Sequence, residues 1–298
     1  MTTDRYPLST YVVGGGRVLF PAAAAGSTSG AASPPAGTGT AVPAASSVQP
    51  LSAAPGTILI FDRAVFHLPP VKSYADAQLD DTQNIPRSRL PWRPPLRLSL
   101  RARTSIPDPL GTFGFGFWND PFSLSLGMGG AVRHFPSAPQ CAWFFYGSPP
   151  LDLPLAQGVP GCGWKAATLH CPRIPIPVLA PLALGGVLLA SLPLLRRPAF
   201  AFASRFYRAE ERLLGIDPSQ WHTYTIEWRA TSVGFFVDGA EVLRSMHPPS
   251  PPLGLVLWID NQYAVASAGL GFGFGVLPLE KEQSLELDSV RIERGIPA

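Results

Sequence analysis

Charge is scarce in this 298-residue chain: 14% of residues are Asp, Glu, Lys or Arg, where soluble domains usually carry about a quarter. The net charge is only +3, and the arginines do not interleave with aromatics as a nucleic-acid groove requires, so nucleic acid is not an expected partner. Cysteine is scarce too. Cys141, Cys162 and Cys171 form no CxxC pair and leave an odd count, which excludes a zinc knuckle and a complete disulfide framework and leaves open a single Cys162–Cys171 bridge. No Ser-His-Asp order stands out, and the glycines at 14 to 16 lack the lysine of a phosphate loop. No cofactor and no metal is expected. The first twenty residues lack an apolar leader, so the expected location is cytoplasmic with reduced thiols.

Proline (35) and glycine (29) are abundant, which favours turns and short strands over long helices. The expectation is one all-β domain over residues 1–298 with two insertions. The first, residues 21–56, is almost entirely Ala, Gly, Ser, Thr and Pro and reads as flexible. Strands follow, recognised by period two. Leu96, Leu98, Leu100 and Ala102 alternate with Arg97, Ser99, Arg101 and Arg103, and Tyr224, Ile226 and Trp228 oppose Thr223, Thr225 and Glu227. Asp238-Gly239 supplies a two-residue hairpin turn. Near the end, Leu285 and Leu287 lie on one parity and Val290 and Ile292 on the other, which places a bulge at Asp288-Ser289.

Two segments alternate glycine with large apolar residues. In GTFGFGFWND, Phe113, Phe115 and Phe117 point to the core, while Gly114, Gly116, Trp118 and Asp120 take the other face. In LGFGFGV, Leu270, Phe272, Phe274 and Val276 are expected to repeat the core face, with Gly269, Gly271, Gly273 and Gly275 opposite. Glycine weakens a strand interior unless something approaches the backbone closely. A ligand groove is therefore one reading, lined by Trp118, Asp120, Trp258 and Asp260, with Asn119, Asn261 and Gln262 at its margin. The other reading buries the tryptophans and uses the acids as turn caps. Tyr74, Asp76, Gln78, Asp80 and Asp81 are expected on a solvated edge strand, and His222 is expected as a satisfied core histidine.

WHTYTIEWRATSVGFFVDGAEVL (221–243) and the terminal SLELDSVRIERG (284–295) resemble the strand pair and closing strand of glycoside hydrolase family 16 and the related concanavalin A-like lectin/glucanase folds. The resemblance covers roughly residues 57–172 and 219–294. It implies a concanavalin A-like β-sandwich (jelly roll) with a saccharide cleft on the concave face of one sheet. Hydrolases of that family carry a Glu-x-Asp-x-x-Glu or Glu-x-Asp-x-Glu strand, and retaining hydrolysis needs two carboxyl groups about 5–5.5 Å apart. Here Asp152 is the single carboxylate between residues 121 and 209, and the corresponding strand reads CAWFFYGS. A family-type hydrolase is not expected.

The second insertion, residues 172–218, runs without charge from Ile174 to Leu195, long enough to cross a bilayer by length alone. Prolines and Gly185-Gly186 interrupt it, and strands on both sides must pair in one sandwich, which excludes a single crossing. Phe202, Phe206 and Leu213 can share a helical face opposite Arg205, Arg208 and Arg212. Leu182, Leu188, Leu189, Arg196, Arg197, Phe202, Arg205 and Phe206 are the candidate contacts to a membrane surface, the alternative being an apolar lid over the sandwich. The expected function is non-hydrolytic binding of a saccharide or glycolipid, at or away from a membrane surface. Its rivals are an enzyme using Asp120 and Asp260 and a protein-interaction scaffold.

Overall fold

In a computed structural model, the described residues are 8–21, 56–83, 85–121, 137–172 and 192–296, with positions 178, 181, 185, 186, 188 and 189. Of the 21–56 insertion only the end residues fall among them, and Leu182 lies outside them. The strands in chain order are β1 (Ser9–Val13), β2 (Arg17–Leu19), β3 (Thr57–Leu68), β4 (Asp76–Asp80), β5 (Leu96–Thr104), β6 (Thr112–Trp118), β7 (Cys141–Gly147) and β8 (Gly163–His170). After the helix α1 (Arg196–Ala203) come β9 (Arg208–Leu213), β10 (His222–Trp228), β11 (Val233–Val237), β12 (Ala240–Ser245), β13 (Gly254–Asp260), β14 (Gln262–Ser267), β15 (Gly271–Val276) and β16 (Gln283–Arg294).

They form two seven-stranded sheets, ordered β1-β4-β13-β6-β7-β8-β9 and β12-β11-β10-β5-β16-β3-β2, and a two-stranded ribbon, β14-β15. The architecture is the expected all-β sandwich. One contiguous apolar core joins the inner faces: Phe113, Phe115, Phe117 and Phe144 from the first sheet meet Tyr224, Trp228 and Phe235 from the second. Phe144 lies edge-on to Phe235 with centroids 5.4 Å apart, an arrangement favoured by the ring quadrupoles.

Period two places the outer residues as expected. Leu96, Leu98, Leu100 and Ala102 of β5 are buried, and Arg97 and Arg103 on the opposite face pair with Glu227 (2.6 Å), Glu293 (3.0 Å) and Glu286 (2.8 Å). Asp238 (φ 50°) and Gly239 (φ 82°) both lie in the left-handed region, as the two-residue turn joining β11 to β12 requires. Ser289 has φ 55°, and the β16–β5 register shifts between Asp288 and Arg291. That bulge keeps Leu285, Leu287, Val290 and Ile292 all in the core despite their opposite parities.

Several expectations are corrected. Leu270, Phe272 and Phe274 are not core: they are 61%, 55% and 52% exposed, because their strand belongs to the ribbon, which has no second sheet packed over that face. β4 is not a solvated edge: β1 pairs along its outer side, and Asp76, Asp80 and Asp81 are buried. The second insertion ends earlier than residue 218. Arg208–Leu213 is the edge strand of the first sheet rather than a helical continuation, so Leu213 shares no helix face with Phe202 and Phe206. Cys162 and Cys171 flank the two ends of β8, roughly 25–30 Å apart at the rise of a strand, far beyond the reach of a disulfide. All three thiols are free, and Cys171 packs with Cys141. His222 sits at the sheet end rather than in the core, its Nδ1 2.6 Å from Asp238 Oδ2.

Candidate functional site

The two outer faces of the sandwich differ in kind. That of the second sheet carries the Arg–Glu ladder, exposed pairs worth little individually. That of the first sheet carries aromatic rings. Register places Tyr11, Gln78, Trp258, Gly114, Phe145 and Lys165 in one row across β1, β4, β13, β6, β7 and β8. Trp118, Trp143 and Phe145 are half-buried, and Trp258 is 7% exposed beneath them. Trp143 links the set, with centroid distances of 5.9 Å to Trp118, 5.5 Å to Phe145 and 5.7 Å to Trp258.

The glycines of β6 exist for these rings. A Cβ on Gly114 would come within 2.6 Å of the Trp258 ring and 2.4 Å of the Phe144 carbonyl, and one on Gly116 within 2.7 Å of the Trp143 Cβ. The space above the bare backbone is thus filled by side chains of the neighbouring strands, an aromatic cover for a glycine strand, and does not itself form a ligand groove. Trp258 is anchored by Nε1–H donating to Thr112 Oγ1 at 2.9 Å. The indole N–H groups of Trp118 and Trp143 are hidden and have no acceptor among the described residues, a cost of about 1–3 kcal/mol each when left unmet.

At one end of the face, Asp76 of β4 stands directly opposite Asp260 of β13. Asp76 is 4% exposed and Asp260 partly buried. Tyr74 donates to Asp76 Oδ2 at 2.8 Å, while Asp76 Oδ1 has no partner. Asp260 Oδ1 accepts from Thr112 Oγ1 (2.9 Å) and from the Gln262 backbone N–H (3.0 Å). Burial, only partly offset by these bonds, pushes the Asp260 carboxyl up to about 7. Burial and then the Asp260 charge raise Asp76 well above the usual carboxylate range. Two acids in register with elevated affinities are a pair that holds a proton near neutrality.

The far side of the face is closed by the segment between β7 and β8. Lys165 donates to the carbonyls of Pro160 (2.9 Å) and Gly161 (3.1 Å) and pairs with buried Glu211 at 3.0 Å. Glu211 in turn accepts from the backbone of Leu155 and Ala156. Asp152, the lone acid of its region, bridges to Val265 of the ribbon through its backbone.

The seven ligand-binding candidates separate. Trp118 and Trp258 share a face through Trp143. Asp120 and Asp260 do not meet: β6 and β13 are antiparallel with Asp260 opposite Thr112 and Trp118 opposite Gly254, which puts them at opposite ends of the sheet, roughly 25 Å apart along the strands. An enzyme using that pair is therefore ruled out by register. Asn119 bonds Ser137, the Ala138 carbonyl and the Gln140 N–H. Asn261, fully buried, bonds Ala75 N–H and the carbonyls of Ser73 and Leu277. Both asparagines tie loops together. Gln262 begins the ribbon and is half-buried. Trp143, Phe145 and Asp76 were missed as site residues. Their parity is legible in CAWFFYG and YADAQLD, but their being neighbours of Trp258 is not.

Of the membrane-contact candidates, Leu188, Leu189, Phe202 and Phe206 are 60%, 45%, 54% and 43% exposed. Phe202 and Phe206 lie edge-on at 5.0 Å, and Arg197 and Arg205 are exposed beside them while Arg196 is partly buried. Among the described residues no helix is long and apolar enough to cross a membrane. Among them also, no three His, Cys, Asp or Glu side chains converge on a metal-sized space.

No family profile matches the sequence, and no curated protein does. Solved structures do resemble the chain at 10–12% identity. The LamAcat structure from Zobellia galactanivorans covers 77% of this chain and 77% of its own at 12% identity, with a TM-score of 0.39. The laminarinase from Flavobacterium sp. UMI-01 covers 78% and 79% at 11% identity, with a TM-score of 0.41. The Bacillus licheniformis β-glucanase covers 78% and 79% at 10% identity, with a TM-score of 0.37. At these values the likeness bears on neither activity nor residue roles.

Proposed function

We propose that the protein binds a saccharide non-hydrolytically on the aromatic outer face of its first sheet. The observation that carries this reading is the contiguous set Trp118–Trp143–Phe145, half-buried over Trp258, with polar Gln78 and Tyr11 in the adjoining row. Sugar rings present apolar faces that stack on such a surface, and their hydroxyls supply acceptors and donors. The outward positions of β7 are Cys141, Trp143 and Phe145, with no carboxylate among them, which supports binding over hydrolysis on this face. The test is calorimetry with neutral β-glucan hexasaccharides, on wild type and Trp118→Ala. Losing one stacked ring, of order 1 kcal/mol, should weaken binding roughly fivefold. Absence of binding across a broad glycan panel overturns the reading.

A catalytic reading is favoured by one observation, the Asp76–Asp260 pair, whose elevated proton affinity suits acid-base work at neutral pH. Release of reducing ends that vanishes in Asp260→Asn would establish it in place of simple binding. Separately, the exposed leucines and phenylalanines of residues 188–206 beside Arg196, Arg197 and Arg205 suit an interfacial contact with anionic lipid.

A further inference from the structure

A cavity lies beyond the Trp118 end of the aromatic face. It holds about 460 Å³ and is lined by Arg87, Ser88, Arg93, Ser137, Ala138 and Ser250 among others, with no carboxylate side chain among the described residues of its wall. Ala138 is shared: it packs with Trp118 and Trp143 in the second apolar cluster, so the cavity continues the aromatic surface. Its wall is built. Gln140 accepts from the Ser250 N–H at 2.9 Å and donates to the Cys171 carbonyl, and Asn119 is fully engaged as above. Arg87 is held by its Nε, 2.7 Å from the Asn119 carbonyl and 3.1 Å from that of Asp120. Burial lowers the Arg87 affinity for its proton and the nearby Asp120 charge opposes that loss. By contrast Arg93 is exposed, and its guanidinium is given no acceptor by any described residue. The Ser88 and Ser250 hydroxyls likewise have none.

We infer that this cavity is a subsite for an anionic substituent, a sulfate ester or a carboxylate, on the saccharide that lies along Trp118 and Trp143. The inference rests on the proposed saccharide reading and names its ligand class. The Arg93 guanidinium matches the planar or tetrahedral anion with two parallel donors, serine hydroxyls complete the shell, and the wall behind them is held in place by the Arg87, Asn119 and Gln140 hydrogen bonds. Asp120 limits the net charge to about one positive, so a single anionic group is accommodated rather than a polyanion.

The experiment compares neutral, sulfated-galactan and uronate hexasaccharides by calorimetry at low salt, on wild type, Arg93→Gln and Trp118→Ala. Wild type should prefer at least one anionic ligand about tenfold over the neutral one, and the preference should shrink with added salt. Arg93→Gln should erase the preference and leave neutral binding unchanged, whereas Trp118→Ala should weaken every ligand. The two anionic arms tell sulfate from carboxylate. Equal affinity for neutral and anionic ligands, or equal losses for both in Arg93→Gln, overturns the subsite. If no saccharide binds, the saccharide reading fails by itself. Inorganic sulfate then tests the cavity: saturable binding lost in Arg93→Gln sustains an anion site, and no binding to wild type removes it.

Discussion

Replacing Asp260 by Asn removes one of two carboxyl groups that face each other across β13 and β4. The shape is kept, and the amide oxygen can still accept from Thr112 and Gln262. The magnitude follows from the elevated affinity. Asp260 rises to about 7 from the usual carboxylate value near 3.9, equivalent to roughly 4 kcal/mol. The folded state therefore holds a proton that the unfolded chain has released, and stability falls as pH rises wherever the folded state binds more protons. The contribution is fully present below about pH 4 and is lost between about pH 4 and 7. Glu227 and Asp238 act oppositely. Their affinities are lowered in the fold, so their contribution is present above the usual carboxylate range and lost in acid. Comparing variant with wild type cancels that background. Urea unfolding from pH 4.5 to 8.5 should find Asp260→Asn near or below wild type in acid and about 2–3 kcal/mol more stable at pH 8. Part of the full shift is retained by Asp76, which loses its charged neighbour but stays buried. A stability difference that does not change with pH would refute the shared-proton account of this pair.

Two glycines that look alike in sequence should behave differently. Gly114→Ala drives a Cβ into the Phe144 carbonyl and the Trp258 ring and should cost about 1–3 kcal/mol, with a changed near-ultraviolet circular dichroism signal. Gly273→Ala in the ribbon meets nothing within 4 Å and should stay within about 0.5 kcal/mol of wild type. Replacing residues 174–205 with a short Gly/Ser turn should leave the sandwich folded, because β8 and β9 already pair His170 with Arg208. It should abolish association with anionic vesicles in flotation assays; unfolding would favour the lid role, and undiminished flotation would dismiss the lipid contact.

Local rules carried much of this fold in the sequence. Period two identified β5 and β10, Asp238-Gly239 marked the β11–β12 hairpin, and the parity switch after Leu287 placed the bulge at Ser289. Each depends only on residues within one or two strands, where steric alternation and φ preference act directly. Tertiary structure decided the rest. FGFGF in β6 and GFGFG in β15 obey the same alternation, yet one is core and the other solvent-exposed, because burial depends on whether a second sheet lies above the strand. The glycine face of β6 reads as open space until Trp258 and Trp143 arrive from positions 144 and 27 residues away from the glycines they oppose. Asp120 and Asp260 look equivalent beside their tryptophans, and antiparallel pairing separates them by the length of the sheet. It also joins Asp260 to Asp76, across 184 residues of chain. Register between distant strands is set by the summed packing of the whole core, which no local pattern contains.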